Sequence, residues 1–486
     1  MNIESSRESE DLNGFTLDMP EHKMLAVSTG WMLLALGALV GGGLLTLVIV
    51  LSRTPYIQDI FPWINIFHTA LVVHVDLTVL VWFLAMAGVF WSINSTANRE
   101  QLHWLALVLA ATGAVIMALS PFLGAGSPMM TNYIPILDDP IFFSGLVIFA
   151  LGFTILVVHS LISFRPIGRI ISGQGALRFG LFSSLIASLV AIGAFAASYV
   201  GLPETITGQR YYELLFWGGG HALQFLHIQL MLVSWLWLAT VSGINSRLTP
   251  RIILFLFAIG LFPVLMIPLA YLNFTVDSPD HLQTMTWLMQ YGGGLAAVPI
   301  SLVILFNMVR SIGHTGGFGA ERSALFSSMI LFGAGGLIGF MINGSNVTVP
   351  AHYHGSIVAI TLAYMGVTYH ILPLLGFKRP VGRLVVAQPW LYGGGQLLHV
   401  IGLAWSGGYG VQRKTAGDAQ VLDGIEKIAG MGLMGLGGLI SVIGGLVFLV
   451  IVFRSMWPRW RHRSNRLPRS DRATFELPEM RQPPKP

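Results

Sequence analysis

Four histidines inside apolar segments, His74, His221, His352 and His354, are the residues of this chain best suited to chemistry. An imidazole is costly in hydrocarbon unless it faces a cavity, a partner or a metal. His74 lies in HTALVVHVDLTVLVW, His221 in FWGGGHALQFLH, and the other two in VTVPAHYHG. Once the segments are oriented, all four fall in the same outer third of a membrane. Several imidazoles converging on one depth point to buried iron or copper.

The spacing of the last pair says more. At ~100° per residue, positions i and i+2 project ~200° apart, on opposite faces of one helix. Such a pair cannot chelate one metal but can ligate two centres, one on each side. His354 could then share an iron with His74, giving a six-coordinate, electron-transferring haem, and His352 would hold a second haem on one face, leaving the other open for a substrate. The glycines at 218–220 permit a planar group to approach the backbone before His221.

The other histidines are weaker candidates. His103 and His159 fall at inner span ends, where a solvated or interfacial role is expected. His22, His314 and His462 belong to loops or tail, and His370 ends span 10 on the inner side. His227 lies ~240° round the helix from His221 and points elsewhere. His281 and His68 are near the outer surface, and His68 is the alternative to His74. His399 is expected beside the ligands rather than among them.

The elements that must position these residues are membrane helices. The chain of 486 residues is 54% hydrophobic and only 10% charged, far below the charge content of a soluble domain. Apolar runs recur along nearly its whole length, so the fold class is all-α and polytopic. Twelve spans are expected, at about 25–52, 62–93, 102–124, 140–164, 176–202, 211–244, 250–273, 281–308, 322–343, 348–376, 384–408 and 428–457. A polar segment, 1–24, precedes this 25–457 domain and lacks the apolar stretch of a cleavable signal. A basic, Pro-rich tail, 458–486, follows it and reads as a headgroup-binding cytoplasmic extension. With no cysteine, the chain has no disulfide, iron–sulfur cluster or thiolate-ligated haem, and histidine is left as the main metal ligand.

Loop charge sets the orientation. One side collects cations from Arg99 through Arg165, Arg169, Arg178, Arg251 and Arg310 to Arg383, together with the tail. The other holds only Arg53, Arg210, Arg413, Lys414 and Lys427. The positive-inside rule puts both termini in the cytoplasm of a bacterial-type inner membrane. The outer loops are acidic, with Asp138, Asp139, Glu204, Glu213 and Asp423 among them. These are either solvated loop ends or a docking surface for a basic partner or a second subunit. The net charge of +5 comes mostly from the tail and bears on membrane orientation, not on nucleic acid. Arg413 and Lys414 sit just above the histidine layer. They are either a surface pair or cations that neutralise haem propionates.

PAHYHG followed by YHILP in span 10, His74 in span 2, WGGGH in span 6 and the run HVIGLAWSGGYGVQRK resemble subunit I of the haem–copper oxidase superfamily. The resemblance covers essentially all twelve spans. It implies that His74 and His354 ligate a low-spin haem, that His352 ligates a high-spin haem, and that His221 ligates a second active-site metal, copper or iron. It implies electrons arriving at the outer face from a cytochrome or quinol donor, through a second subunit with an electron-carrying domain, to reduce dioxygen.

Three positions depart from the family's pattern. Where span 7 should end in two adjacent histidines, this chain has Leu269, Ala270, Tyr271 and Leu272. Only Gln224, Tyr271 and Asn273 offer nearby polar atoms, and neutral oxygen donors bind copper weakly. One turn beyond His221 stands Phe225 instead of a tyrosine or glutamate, and neither it nor Gln224 carries a titrating proton. Two other readings therefore stay open within the resemblance: a nitric oxide reductase or dismutase with an altered second-metal site, and a haem relay or sensor without turnover. A twelve-span transporter would carry no haem, and no internal repeat supports one.

Overall fold

Backbone amides in hydrocarbon have no water to bond, and a helix satisfies them within its own segment. The computed structural model describes residues 14–20, 22–60, 66–97, 99–124, 126–244, 247–311 and 319–462. Most of the polar segment 1–24 and of the tail 458–486, and the loop carrying His314, lie outside the described residues. Within them, twelve long helices follow in order: α1 His22–Leu51, α2 Phe67–Ile93, α3 Glu100–Phe122, α4 Pro140–Ile162, α5 Gly173–Gly201 and α6 Gly208–Val241. The second half is α7 Pro250–Asn273, α8 Pro279–Arg310, α9 Gly319–Phe340, α10 Thr348–Leu374, α11 Arg383–Gly408 and α12 Ile425–His462. The chain is an all-α polytopic membrane protein, as its apolar runs predict.

Eleven of these helices are long and apolar enough to cross a membrane; α11 is the one left out. It is 26 residues long but carries Gln388, Tyr392, Gln396 and His399. It packs against α9, α10 and α12, so its polar face is covered by protein.

Helix starts follow local chemistry. Asp139 accepts from the Ile141 amide at 2.8 Å, and Ser172, Thr249 and Ser278 cap α5, α7 and α8 in the same way. Pro140, Pro250 and Pro279 occupy first helical positions, where no amide donor is needed.

Burial separates the helices into a centre and a surround. Of the eleven apolar spans, α2, α6 and α10 are the most deeply covered, and between them they carry all four candidate histidines. The outer helices expose side chains such as Val115, Val147, Phe262 and Leu272. Gly335 and Gly355 let α9 and α10 touch backbone to backbone: a Cβ on Gly335 would come within 2.6 Å of the Ser356 nitrogen.

Two irregular features matter for the site. Just after His74, α2 widens into a π turn, Asp76–Val81, a local device common near functional groups. Between α3 and α4 the chain forms a small hairpin of β1 Ser127–Met129 and β2 Ile136–Asp138, paired antiparallel with Ser127 opposite Asp138 and Met129 opposite Ile136.

Candidate functional site

The bundle holds a partly open cavity of about 1800 Å³, lined by His74, His221, His352 and His354 together. It is larger than the roughly 300–1,000 Å³ of a single small-molecule site. Its walls are mostly apolar and include backbone-only patches at Gly43, Gly333 and Gly336.

Hydrogen bonds fix which ring nitrogen of each histidine faces the cavity. His74 Nδ1 lies 2.9 Å from the Gly42 carbonyl and 3.1 Å from Thr46 Oγ1. His352 Nδ1 lies 2.7 Å from the Gly335 carbonyl. A carbonyl only accepts, so in both rings Nδ1 carries the proton and Nε2 keeps the lone pair. A backbone carbonyl holding the distal N–H is the usual support for a metal-ligating imidazole. These rings fit an iron porphyrin.

The i, i+2 pair turns as its spacing predicts. His352 points to α9, where a Cβ on Gly339 would stand 2.7 Å from its Nδ1. His354 points to α11, its ring 4.8 Å from that of His399. His399 is anchored by Nδ1 to the Met434 carbonyl at 2.9 Å, beside the ligand position. His68, the alternative to His74, bonds the Lys414 carbonyl through Nε2 at 3.0 Å.

Around His221 the structure departs from expectation in an instructive way. Its Nδ1 donates to the Trp217 carbonyl at 2.7 Å, and its Nε2 is met at 2.9 Å by the hydroxyl of Tyr133. Tyr133 sits at the turn of the β1–β2 hairpin and was not legible as a site residue. The three glycines before His221 do admit planar groups, but these are the protein's own rings. A Cβ on Gly220 would overlap Tyr133, one on Gly219 would overlap Phe195, and one on Gly218 would overlap the Tyr271 hydroxyl.

No companion donors complete a second metal site. Among the described residues no group of three or more histidine, cysteine, aspartate or glutamate side chains could hold a metal ion. Tyr271 turns to Ser198 Oγ at 2.8 Å, and Asn273 folds onto the Leu269 carbonyl at 2.6 Å. Only Gln224 lines the cavity, with its Oε1 buried and unpartnered among the described residues.

Lys414 and Arg413 both line the cavity and a smaller outer pocket of about 380 Å³. Lys414 Nζ donates to the Met130 carbonyl and approaches Asn132 Oδ1 at 3.3 Å, so it ties down the hairpin that carries Tyr133. Arg413 Nε donates to Ser345 Oγ at 3.2 Å. Burial, with Arg413 adding repulsion, lowers the Lys414 pKa to about 8. Arg53, a third cation on the cavity wall, is 8% exposed and donates to Gln420 Oε1 at 3.3 Å. Its isolation in the sequence gave no sign of this role.

Other histidines also differ from their expected settings. His103 and His159 are buried, not solvated, and pack edge to face with ring centroids 4.3 Å apart between α3 and α4. His281 is fully buried with its ring 4.6 Å from Tyr271. His227 lies against Phe83 at 4.8 Å, yet it lines the same cavity as His221.

Comparison with known proteins identifies the family. Residues 26–458 match the family model described as cytochrome c and quinol oxidase polypeptide I. The chain belongs to that family, subunit I of the haem–copper oxidases. It is 27% identical to an uncharacterized protein of Rickettsia prowazekii over 89% of this chain and 96% of that one. It is 24% identical to cytochrome c oxidase subunit 1 of Thermus thermophilus, over 84% of this chain and 79% of the relative. A cryo-EM structure of a haem–copper terminal oxidase dimer superposes with a TM-score of 0.68 at 16% identity, covering 94% of this chain and 86% of that chain.

Proposed function

We propose that this chain is the catalytic subunit of a terminal oxidase, carrying a low-spin haem between His74 and His354 and a high-spin haem on His352, where dioxygen is reduced. The observation that carries the reading is the divergence of His352 and His354 from one helix, toward α9 and α11 respectively, within one continuous cavity. The haems supply one-electron transfer and an open iron coordination position. The chain's own residues do the rest. Gly42 and Gly335 hold the rings by their carbonyls, and the apolar wall excludes bulk water. Arg53, Arg413 and Lys414 are positive where propionates would emerge.

Loop charge supports an inner-membrane orientation with both termini cytoplasmic. The acidic outer loops suit a basic cytochrome or a second subunit with an electron-carrying domain, and a quinol is the alternative donor. The test is oxygen consumption by the purified protein with reduced cytochrome or quinol, measured beside nitric oxide consumption. Sustained oxygen uptake supports the proposal. Nitric oxide uptake alone transfers the same site to the other substrate, and haem reduction without uptake of either gas leaves a relay.

A further inference from the structure

We infer that the reaction chamber of this chain has a single metal, the iron of the haem on His352, and that a hydrogen-bonded phenol–imidazole pair, Tyr133–His221, stands where His221 would otherwise bind a second one. The inference rests on the haem assignment proposed above and deepens it by defining what a gas at that iron meets.

The nitrogen accounting at His221 is the first argument. Its Nδ1 is committed as a donor to the Trp217 carbonyl at 2.7 Å. A neutral imidazole then has one lone pair, at Nε2, and the Tyr133 hydroxyl donates into it at 2.9 Å. A metal on Nε2 at about 2.0 Å would have to displace the phenol oxygen.

The second argument is the donor set. The nearby His281 is packed against Tyr271, ring centroids 4.6 Å apart, no group of three or more histidine, cysteine, aspartate or glutamate donors forms among the described residues, and the chain has no cysteine. Tyr271 and Asn273 are engaged elsewhere. Gln224 offers one neutral amide oxygen, a weak donor for copper.

The third is that the place of Tyr133 is built rather than incidental. Its ring sits 5.7 Å from Trp217, nearly perpendicular to it, and 4.9 Å from His221. Gly220 is the only residue type that leaves room for that ring. The hairpin is fastened on two sides, by Lys414 to the Met130 carbonyl and by Glu213 accepting from the Asn132 amide at 3.0 Å. Burial and the nearby Glu213 raise the phenol well above its ordinary range, so it stands as a neutral O–H donor. Tyr133 is thus a positioning residue for His221 and is one of the residues that line the cavity. With its proton committed to His221, the pair would present a neutral polar group to a diatomic held at that iron, where a second metal would present a cation.

The test is metal analysis of wild-type protein from cells grown with added copper and iron, together with the infrared C–O stretch of the reduced, carbon monoxide-bound protein. Two haem irons per chain, no third iron and copper well below one equivalent are expected. Tyr133→Phe should leave haem and metal content unchanged while shifting or splitting the C–O band. An equivalent of copper or non-haem iron that disappears in His221→Ala would overturn the inference while leaving the haem assignment intact. An unshifted band in a correctly folded Tyr133→Phe protein also counts against it. A preparation without haem would instead sink the assignment on which the inference rests, and the wild-type metal count is decisive even where a variant fails to fold.

Discussion

His74 Nδ1 and the carbonyl oxygen of Gly42 lie 2.9 Å apart, joining α2 to α1 at the level of the cavity. The bond fixes the tautomer that leaves Nε2 free, and it depends on the close approach of two backbones. A Cβ on Gly42 would overlap the Thr78 side chain and stand 3.6 Å from Leu77 Cβ. Gly42→Leu should therefore push the helices apart, cost about 1–3 kcal/mol as an overpacking substitution, and weaken the six-coordinate haem signal. Haem content and the optical spectrum check this, and a normal signal would mean that the carbonyl does not hold the ring.

Lys414 gives a pH dependence with a defined sign. Its pKa falls from 10.5 to about 8, through burial first and Arg413 second. Below pH 8 both folded and unfolded chains carry the proton, and the cost of burying the ammonium is fully present. Between pH 8 and 10.5 the unfolded chain binds more protons, so this group makes stability rise with pH across that window. Lys414→Met should remove that contribution. Melting temperatures of the two proteins across the window would reveal it as a more positive slope in the wild type.

Asp76 opens the π turn of α2, is 1% exposed, and has no hydrogen-bond partner for either carboxyl oxygen among the described residues. A buried polar group without a partner costs about 1–3 kcal/mol. Asp76→Leu should raise the melting temperature by a corresponding few degrees and leave the haem spectrum unchanged. A drop in stability or a lost haem would show that the carboxyl holds a partner essential to α2.

The framework of this site was legible in the sequence because membrane chemistry leaves few choices. Apolar runs had to be helices, and the i, i+2 spacing in α10 had to send two imidazoles to different neighbours. His399 does lie beside His354, with ring centroids 4.8 Å apart. What stayed hidden depends on contacts between distant segments. Tyr133 is 88 positions from His221, on a hairpin of two three-residue strands, and is tied down by a lysine 284 positions from Met130. No local pattern marks such a residue. The glycines of WGGGH were read as room for a planar group, which is true of their geometry, but the ring at Gly220 is tyrosine. The burial of His103 and His159 escaped notice because a span end reads as solvated until a neighbouring helix covers it.

The most direct measurement is the pair of optical spectra of His352→Ala, reduced with and without carbon monoxide, beside those of the wild type. With His352 and His354 serving two separate irons, the variant keeps the six-coordinate low-spin spectrum and loses carbon monoxide binding. Carbon monoxide binding that survives the substitution, or a low-spin spectrum that vanishes with it, would contradict the division of α10 between two haems.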